Sequence, residues 1–465
     1  MMTWLSLHAL QYKALKQING TSERIGNMNL EEYVKVKYKN DAHWFTKEVG
    51  TVANDVRIQK VVESKAYLSG EHDILKRPNF KYNGETIEPR RIVLNLAKQI
   101  LNFQNAYLLK NGITITGVEK VASKFNEVSK TGKYFLHNQK TFSNMLKYGQ
   151  SAEYVYMDNG RIKSKILDPS EFTPVFNRHN QLLSIIEHYV FDGIQYYTVY
   201  EEEKVQEWSN ENGRMRLIGQ FASLTGLPVL YVLDGEYGNT DAKSDLDNWR
   251  TILDQMEDVI SKYTDTFYKF MNPIPIVVGQ ELKGSLNKEV VGQGINLEDG
   301  DFKMVSPKLD SETFKVLFNT LQESLYNVSS TPSVSMGKSD ISNLSEVSIK
   351  ILFSLADVAA GINETYLKRG LFDRYEKVRT LLEYQGFTMS DDEFNSVDFV
   401  FEYNLPANQK EIIDNLAVLK AIGGYSTQSI VEKNPYVKDT KQEMDRLATE
   451  VVTTMPSEDV NPLVG

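Results

Sequence analysis

The segment Asp241–Met271, DAKSDLDNWRTILDQMEDVISKYTDTFYKFM, is the most regular stretch of the chain. Its large apolar residues alternate at spacings of three and four, the seam of a helix that packs lengthwise against others. The seam consists of Leu246, Trp249, Leu253, Met256, Ile260, Tyr263, Phe267 and Phe270. The period predicts a helix over residues 240–272, ended by Asn272-Pro273 because proline cannot continue a helix. A two-stranded coiled coil or a buried core helix has the same period. The neighbouring sequence is therefore needed to distinguish between these structures.

A glycine-rich segment at residues 273–309 follows this helix and has the pattern of strands and turns. The runs Ile274–Val278 and Phe302–Val305 are the two expected strands. Asp310 is suited to cap a second helix over residues 310–332. One face of that helix carries Phe314, Leu317, Leu321, Leu325 and Val328. We therefore expect two antiparallel helices that carry a small β module at their far end.

Residues 333–344 are small and polar, which predicts a loop, and helical periodicity resumes over residues 345–386. Gly361 and Gly370 interrupt this last helix and are candidate kinks. Earlier in the chain, residues 28–239 alternate helical and strand patterns, and we expect an α+β domain with an antiparallel sheet. Its predicted elements include helices at Asn95–Lys110 and Phe135–Tyr148, strands at 153–157, 188–190, 196–200 and 206–208, and turns at Asp158-Asn159-Gly160, Asp192-Gly193 and Asn212-Gly213.

The two ends of the chain differ from its middle. Residues 387–456 have short helical patterns, with Gly423-Gly424 as a helix end and Ser426 as a helix cap. Residues 457–465 have no apolar period and are predicted to be a disordered tail. Residues 1–27 form a leader before a second plausible start at Met28.

The composition of the chain limits the classes of protein to which it can belong. The chain has 465 residues, 41% of them hydrophobic, which is enough for two to four domain cores. Its lack of cysteine excludes a disulfide framework and a thiolate zinc site and is typical of a reducing compartment. No apolar stretch is long enough for a membrane-spanning helix. The net charge of −10 has the wrong sign for a protein that grips phosphates across most of its surface.

Enzyme motifs are incomplete. Met336–Ser339 contains the GKS of a phosphate-binding loop, but Pro332 stands where the earlier glycine is required and a helix, not a strand, precedes it. Gly292-Gln293-Gly294 lacks the third glycine of a dinucleotide site. The six histidines have no metal-ligand spacing. The acidic runs Asp391-Asp392 and Glu201–Glu203 are most simply solvated turns. We therefore predict no catalytic, cofactor-binding or metal-binding residues and no enzymatic activity.

The order of helix, β insert, helix, polar loop and long helix resembles that of the portal proteins of tailed double-stranded DNA bacteriophages, particularly long-tailed phages of Gram-positive hosts. Several local stretches are similar to that family as well. They are Val61–Leu75, Ile166–Phe176, Leu227–Val229, Asp340–Ala356 and Tyr425–Glu450.

The resemblance implies an α+β, mainly helical fold and a ring, usually of twelve subunits, at one capsid vertex. DNA would pass through the ring during packaging and ejection. The implied partners are the DNA, the terminase, a head-completion adaptor and the capsid and scaffold proteins, without a membrane. The implied location is the virion, with assembly in the host cytoplasm. In family terms the segments are a wing (28–239), two stem helices (240–272 and 310–332), a clip (273–309), a tunnel loop (333–344), a long wing helix (345–386) and a crown (387–456).

The tunnel loop would face the DNA. Its candidate residues are Ser335, Met336, Gly337, Lys338, Ser339, Asp340 and Asn343. Lys338 is the natural source of a sparse ring of positive charge, although a merely solvated lysine is the simpler alternative. The first stem helix carries six aspartates off the seam, and we expect a solvated acidic stem that repels DNA and lets it slide. The seam residues, from Leu246 to Phe267 with Phe314, Leu317 and Leu321, would hold the subunits together. The alternative without a DNA channel is a coiled-coil adaptor or structural protein.

Overall fold

The computed structural model describes residues 28–82, 85–233, 242–270, 274–279, 301–305, 310–333, 346–406 and 409–454. These residues divide into two compact units. The described residues up to 331, together with residues 358–403, form the first unit. Residues 332–357 and the described residues from 404 onward form the second. The sequence-predicted leader at 1–27, the tail at 457–465 and nearly all of the predicted tunnel loop lie outside the described residues.

Six α-helices precede or flank the sheets in the described part of the first unit. They are α1 (Leu30–Tyr38), α2 (Trp44–Val49), α3 (Val52–Leu68), α4 (Leu96–Leu109), α5 (Glu119–Thr131) and α6 (Tyr134–Tyr148). Helices α4 and α6 confirm the two helices predicted in this region. Asn29 caps α1 by accepting a hydrogen bond from the Glu32 amide at 2.9 Å.

Eleven strands precede the long helices in the described ranges. They are β1 (Phe80–Tyr82), β2 (Glu85–Ile87), β3 (Ile113–Thr116), β4 (Gln150–Asp158), β5 (Arg161–Leu167), β6 (Phe172–Phe176), β7 (Leu182–Phe191), β8 (Ile194–Tyr200), β9 (Lys204–Ser209), β10 (Arg216–Ala222) and β11 (Val229–Val232). Eight of them form an antiparallel five-stranded sheet of order β10-β9-β8-β7-β6 and a three-stranded sheet of order β11-β4-β5, and β1 pairs with β2. The antiparallel sheet predicted from the sequence is confirmed.

The hairpin turns of these sheets follow from residues that tolerate positive φ. Asn159 and Gly160, between β4 and β5, have φ of 49° and 72°. Asp192 and Gly193, between β7 and β8, have φ of 50° and 77°. Two successive positive values match the twist of the flanking strands, which is why Asn-Gly and Asp-Gly pairs mark two-residue hairpins.

The five-stranded sheet is covered on both faces. Ile185 and Ile186 are adjacent on β7 and point to opposite faces, and each is fully buried. Ile186 belongs to a cluster with Trp44 and Phe45 of α2. Ile185 belongs to a second cluster that includes Ala152 and Leu167 of the three-stranded sheet. The wing-like first unit is therefore layered as helix, sheet and sheet in this region.

The remaining elements are the long helices and the carboxyl-terminal part. They are α7 (Asp245–Phe270), β12 (Ile274–Val278), β13 (Asp301–Val305), α8 (Ser311–Val328), α9 (Glu346–Tyr384), α10 (Asp391–Asn395), β14 (Asp398–Phe401), α11 (Gln409–Ala421), α12 (Thr427–Lys433) and α13 (Thr440–Thr454). Asp310 caps α8 and Ser426 caps α12, as predicted. Each side chain accepts a hydrogen bond from a backbone amide in the first turn of its helix. None of the helices in the described ranges is long and apolar enough to cross a membrane.

Strand β14 pairs with β3, with Phe399 opposite Ile115. This pairing places residues 398–401, which the sequence pattern separated from the wing at residue 387, within the first unit. The reason is the buried ring of Phe399, which packs on Phe372 and Tyr375 of α9 at centroid distances of 5.0 and 5.1 Å.

Candidate functional site

Helices α7 and α8 form an antiparallel pair. Near one end, the rings of Tyr263 and Phe314 stack with centroids 3.8 Å apart and an interplanar angle of 14°. At the other end, the Gln104 amide donates to Asp245 Oδ2 at the start of α7 and to the Ser329 carbonyl after α8, at 2.6 and 3.0 Å. The 26 residues of α7 extend about 39 Å at 1.5 Å per residue.

A two-stranded β ladder lies at the end of the pair opposite Gln104. Strands β12 and β13 pair antiparallel, with Ile274 opposite Val305 and Val278 opposite Asp301. These are the two strands predicted from the sequence, and their backbones carry the chain out from α7 and back towards α8. The rest of the predicted clip, residues 280–300 and 306–309, lies outside the described residues.

The apolar seam of α7 divides into two halves that differ in burial. Leu246, Trp249, Leu253 and Met256 are fully buried within the single chain. Phe267 is 46% exposed, as is Leu317 on α8. The expectation that the whole seam joins subunits therefore needs correction, because its first half is already packed in the chain's own core. In the second half Ile260 and Tyr263 are half-buried. The exposed residues Phe267 and Leu317, together with Val316 and Tyr268, are available to another molecule.

The acidic residues of α7 also differ from the expectation of a solvated, DNA-repelling surface. Asp245 accepts hydrogen bonds from Gln104 and Trp249, and burial raises the pKa of its carboxyl group above the ordinary value. Asp265 pairs with Arg77 at 2.7 Å and also accepts from the Arg90 amide. These carboxylates make contacts between α7 and the rest of the chain. Their negative charge is therefore not free to repel DNA.

A polar network fixes the middle of α7 to the segment that leads into α4. His72 Nδ1 lies 2.7 Å from Glu257 Oε1, and that same oxygen accepts from the Leu94 amide at 2.8 Å. Both side chains are 1% exposed. One turn earlier, the Tyr67 hydroxyl donates to Asp254 at 2.9 Å, and its ring stacks on His72 with centroids 3.8 Å apart. The network holds the middle of α7 in a defined position relative to α3 and α4.

His72, Asp254 and Glu257 are also a group whose ligand-type atoms lie within 4.8 Å of one another. Protein donors already engage these carboxylates, through His72, the Leu94 amide and the Tyr67 hydroxyl. The contacts therefore fit a structural network better than a metal centre. No local sequence pattern indicates the group, because 185 residues separate His72 from Glu257.

The predicted tunnel-loop residues Ser335–Asp340 and Asn343 lie outside the described residues. What the structure places are the flanks of the loop. Helix α8 ends at Val328, and Ser329, Thr331 and Pro332 after it are buried. Helix α9 begins at Glu346. The role of Lys338 stays a prediction.

A family model described as "Phage portal protein, SPP1 Gp6-like" matches residues 52–456. The chain belongs to this family of phage portal proteins. The match covers the stem, clip, tunnel loop, long helix and crown as the sequence divides them, and the wing from residue 52 onward. It confirms both the portal role and the α+β, mainly helical fold class predicted above. Portal proteins are structural components that assemble with copies of themselves at a vertex of the particle.

The portal chain has no match among curated proteins. Among solved structures, a chain from the "Neck of empty GTA particle computed with C6 symmetry" aligns with 10% identity and a TM-score of 0.45. The alignment covers 71% of the portal chain and 86% of that chain. The family match alone carries the assignment.

A buried ion pair that no sequence motif indicates joins four elements of the first unit. Arg374 of α9 lies 2.7 Å from Glu153 of β4, and both side chains are 0% exposed. Tyr231 of β11 donates to the same carboxylate at 2.8 Å, and Arg374 also donates to Asn138 of α6. Burial would lower the pKa of Arg374, but the charge of Glu153 outweighs it and keeps the guanidinium protonated. The pair fixes the long helix to the sheet.

Proposed function

We propose that copies of this chain close into a ring of twelve and that double-stranded DNA passes through its centre. The observation that carries the proposal is the antiparallel α7–α8 pair with a β ladder at its far end, because such a unit, repeated around an axis, forms a tube. The long helix supports self-association. Ile349, Phe353 and Ala356 on one side of α9 are buried, whereas Val347 and Ile351 on another side are each 67% exposed. A helix with apolar residues on several faces is normally covered on all of them.

The β12–β13 end of the stem is proposed as the part that meets the terminase during packaging and the head-completion adaptor afterwards. Val278 and Asp301, which pair at one end of the ladder, are both exposed and accessible to such partners. The wing and crown are proposed to contact the capsid and scaffold proteins. Assembly then takes place in the host cytoplasm, and the ring remains at the capsid vertex of the virion.

The ring is proposed to be a passive conduit, with the work of packaging supplied by an ATP-driven partner. The lack of an intact phosphate-binding loop in the sequence supports this. Purified rings should therefore hydrolyse ATP no faster than a buffer blank. Hydrolysis that copurifies with the ring, and is abolished by substitution of residues within this chain, would contradict a passive role.

The loop at residues 333–344 is proposed to approach the DNA, with Lys338 as a ring of positive charge. A sparse ring gives weak phosphate contacts that do not stop sliding, since affinity grows with each phosphate neutralised. Lys338→Glu should leave rings intact and reduce the amount of packaged genome, measured in an in vitro packaging assay. Lys130→Glu, on the surface helix α5, is the matched control. Packaging equal to that of the control would make Lys338 an ordinary solvated lysine.

Negative-stain imaging combined with native mass spectrometry tests the ring directly. Closed rings with a central hole and a mass near twelve chains are the expected result. Discrete dimers across the accessible concentration range would instead favour a coiled-coil adaptor without a channel.

A further inference from the structure

A small open cavity lies where α3, the end of α6 and the start of α7 meet. It has a volume of about 120 Å³. Of the described residues, four cationic side chains line it: Arg57, Lys60, Lys147 and Lys243. Asp247 is the one carboxylate in this described lining. In a chain with net charge −10, four cations around one carboxylate is a strong local reversal of sign.

These cations differ from most of their neighbours in having no carboxylate partner within the described ranges. Lys65, on the same helix as Arg57 and Lys60, pairs with Asp168 at 2.5 Å. Arg250, five residues after the start of α7, lies near Asp254. The chain's own described carboxylates therefore do not explain why these cations converge on one cavity.

Backbone contacts hold two of the four cationic residues, Arg57 and Lys243. Arg57 donates to the carbonyl oxygens of Pro169, at 3.0 Å, and of Phe172. Gly149 ends α6 with φ of +78°, and a Cβ there would lie 2.9 Å from the Lys243 backbone. Only glycine allows this approach, which brings Lys243 against the helix end that carries Lys147. The Arg57 guanidinium and the Lys243 backbone are therefore held in place by the chain's own contacts.

Two of the cations, Arg57 and Lys147, lie where burial disfavours their charged form. Burial lowers the pKa of Arg57 to about 10. Burial also lowers the pKa of Lys147, and the charge of nearby Lys98 lowers it further. A partly buried cation without a counter-charge is destabilising, and an anion in contact with it would reverse the effect. The first turn of α7, where Ser244 Oγ accepts from the Asp247 amide, adds the positive end of a helix dipole.

We propose that this cavity binds a phosphate group. Its volume equals that of a few water molecules, about 30 Å³ each in the liquid, which suits one small tetrahedral anion. Lysines around a phosphate act as point charges that need no single bidentate geometry. The group could come from the DNA backbone or from free phosphate, which have the same chemistry here. The proposal does not depend on ring formation.

The test uses the full-length protein and two ligands, inorganic phosphate and a duplex of about two helical turns. Phosphate binding is measured by titration calorimetry on wild type and on the double variant Lys60→Gln/Lys243→Gln. Both lysines are exposed, so the fold should be retained, as a circular dichroism spectrum would show. We expect at least a tenfold loss of phosphate affinity. Lys130→Gln, which removes a lysine outside the lining, should bind as wild type.

Binding of the duplex identifies the source of the phosphate. If the group belongs to DNA, the double variant should bind the duplex more weakly, with a log-log salt slope smaller by about 0.9 for each lysine–phosphate pair removed. If duplex binding is unchanged while phosphate affinity falls, the ligand is free phosphate. Wild-type protein that binds no phosphate at tens of millimolar, or a double variant that binds it as wild type does, would overturn the proposal. Ring formation, imaged on the same samples, separates this result from the portal assignment.

Discussion

Arg374 and Glu153 are both completely buried, and their partners are Tyr231 and Asn138 from two other elements. Removal of one charge from such a pair leaves the other buried without compensation, which is costly, whereas the net stabilisation from the intact pair is small. The pair is therefore better understood as fixing the position of α9 than as a source of stability. No local pattern could predict it, because 221 residues separate the two partners.

Arg374→Met should lower the free energy of unfolding by about 3–5 kcal/mol. The expected cause is the uncompensated carboxylate of Glu153, so the double variant Arg374→Met/Glu153→Gln should lose less than the single one. Arg379→Met is a matched control on the same helix, since its pairs with Glu383 and Asp391 lie at the surface and contribute about 0–1 kcal/mol. Denaturant unfolding measures the free energy of unfolding of all three variants. Equal losses for Arg374→Met and Arg379→Met would contradict the buried-pair interpretation.

His188 gives a prediction about pH. Its Nε2 is buried without a hydrogen-bond partner among the described residues, its ring stacks on Tyr197 at 4.5 Å, and burial lowers its pKa below the ordinary 6.5. The folded state therefore binds this proton less readily than the unfolded state. The resulting stabilisation is fully present above pH 6.5 and is lost as pH falls through the lower, folded-state pKa.

His188→Phe should make the fall in Tm on going from neutral to mildly acidic pH smaller than in wild type, since phenylalanine keeps the stacking and cannot be protonated. The Tm is measured by differential scanning calorimetry on both sides of the ordinary histidine pKa. An unchanged difference would mean that His188 titrates alike in the folded and unfolded states.

At the scale of elements, the long helices were the easiest part of the fold to predict. The periodicity of α7, α8 and α9 extends over many turns, and the structure has each helix within a few residues of its predicted bounds. The β12 and β13 strands were predicted too, because glycines and the stop at Pro273 separate them from the helices. The pairing of β3 with β14 was not, since it joins strands far apart in the chain and leaves no periodic trace.

Gly361 and Gly370 were predicted as possible kink sites. Helix α9 continues through both, and a bend at either glycine stays a prediction. The surroundings of the two glycines differ, so a side chain would have a different effect at each position. A Cβ at Gly370 would overlap the ring of the buried Tyr231, closer than real Cβ atoms approach. A Cβ at Gly361 would meet only the Tyr403 hydroxyl, at an ordinary 3.6 Å.

Alanine substitution at the two glycines should therefore have opposite effects. Gly361→Ala should stabilise the chain by about 0.5–1 kcal/mol, because it reduces the entropy of the unfolded state and favours the helix. Gly370→Ala should destabilise it by about 1–3 kcal/mol, because the added methyl group has to displace a packed ring. The two variants are compared by denaturant midpoint at constant m-value. A stabilising shift in both would show that helix propensity, not the contact with Tyr231, dominates, and a destabilising shift in Gly361→Ala would contradict the open surroundings assigned to that glycine.

For the molecule as a whole, burial separates residues that the chain uses to fold from those left for assembly. The apolar period of the stem could not make this distinction, because the seam looks the same along its length. Leu253 is fully buried in the single chain, whereas Leu317 and Phe267 are each 46% exposed near the end of the stem that carries Tyr263 and Phe314. Exposed apolar side chains gathered on a long helix pair are typical of a protein interface.

Two aspartate substitutions in α7 and α8 should consequently have different effects, one on folding and the other on ring assembly. Leu253→Asp would place a charge in the core, so the expected result is loss of the folded chain itself, seen as aggregation and a missing near-ultraviolet dichroism signal. Leu317→Asp would place its charge on the surface of one chain, so the subunit should fold with a Tm close to wild type. In a ring that covers this surface, the same charge is buried, and rings should be replaced by single subunits in native mass spectra.

Asn319→Asp adds the same charge two residues along α8, at an exposed polar position, and should assemble as wild type does. This control separates the burial of a charge at Leu317 from a general increase in the negative charge of the stem. If Leu317→Asp forms normal rings, the exposed end of the stem is not a subunit contact. The assembly must then rest on other surfaces, of which the exposed apolar side of α9 around Ile351 is the next to substitute.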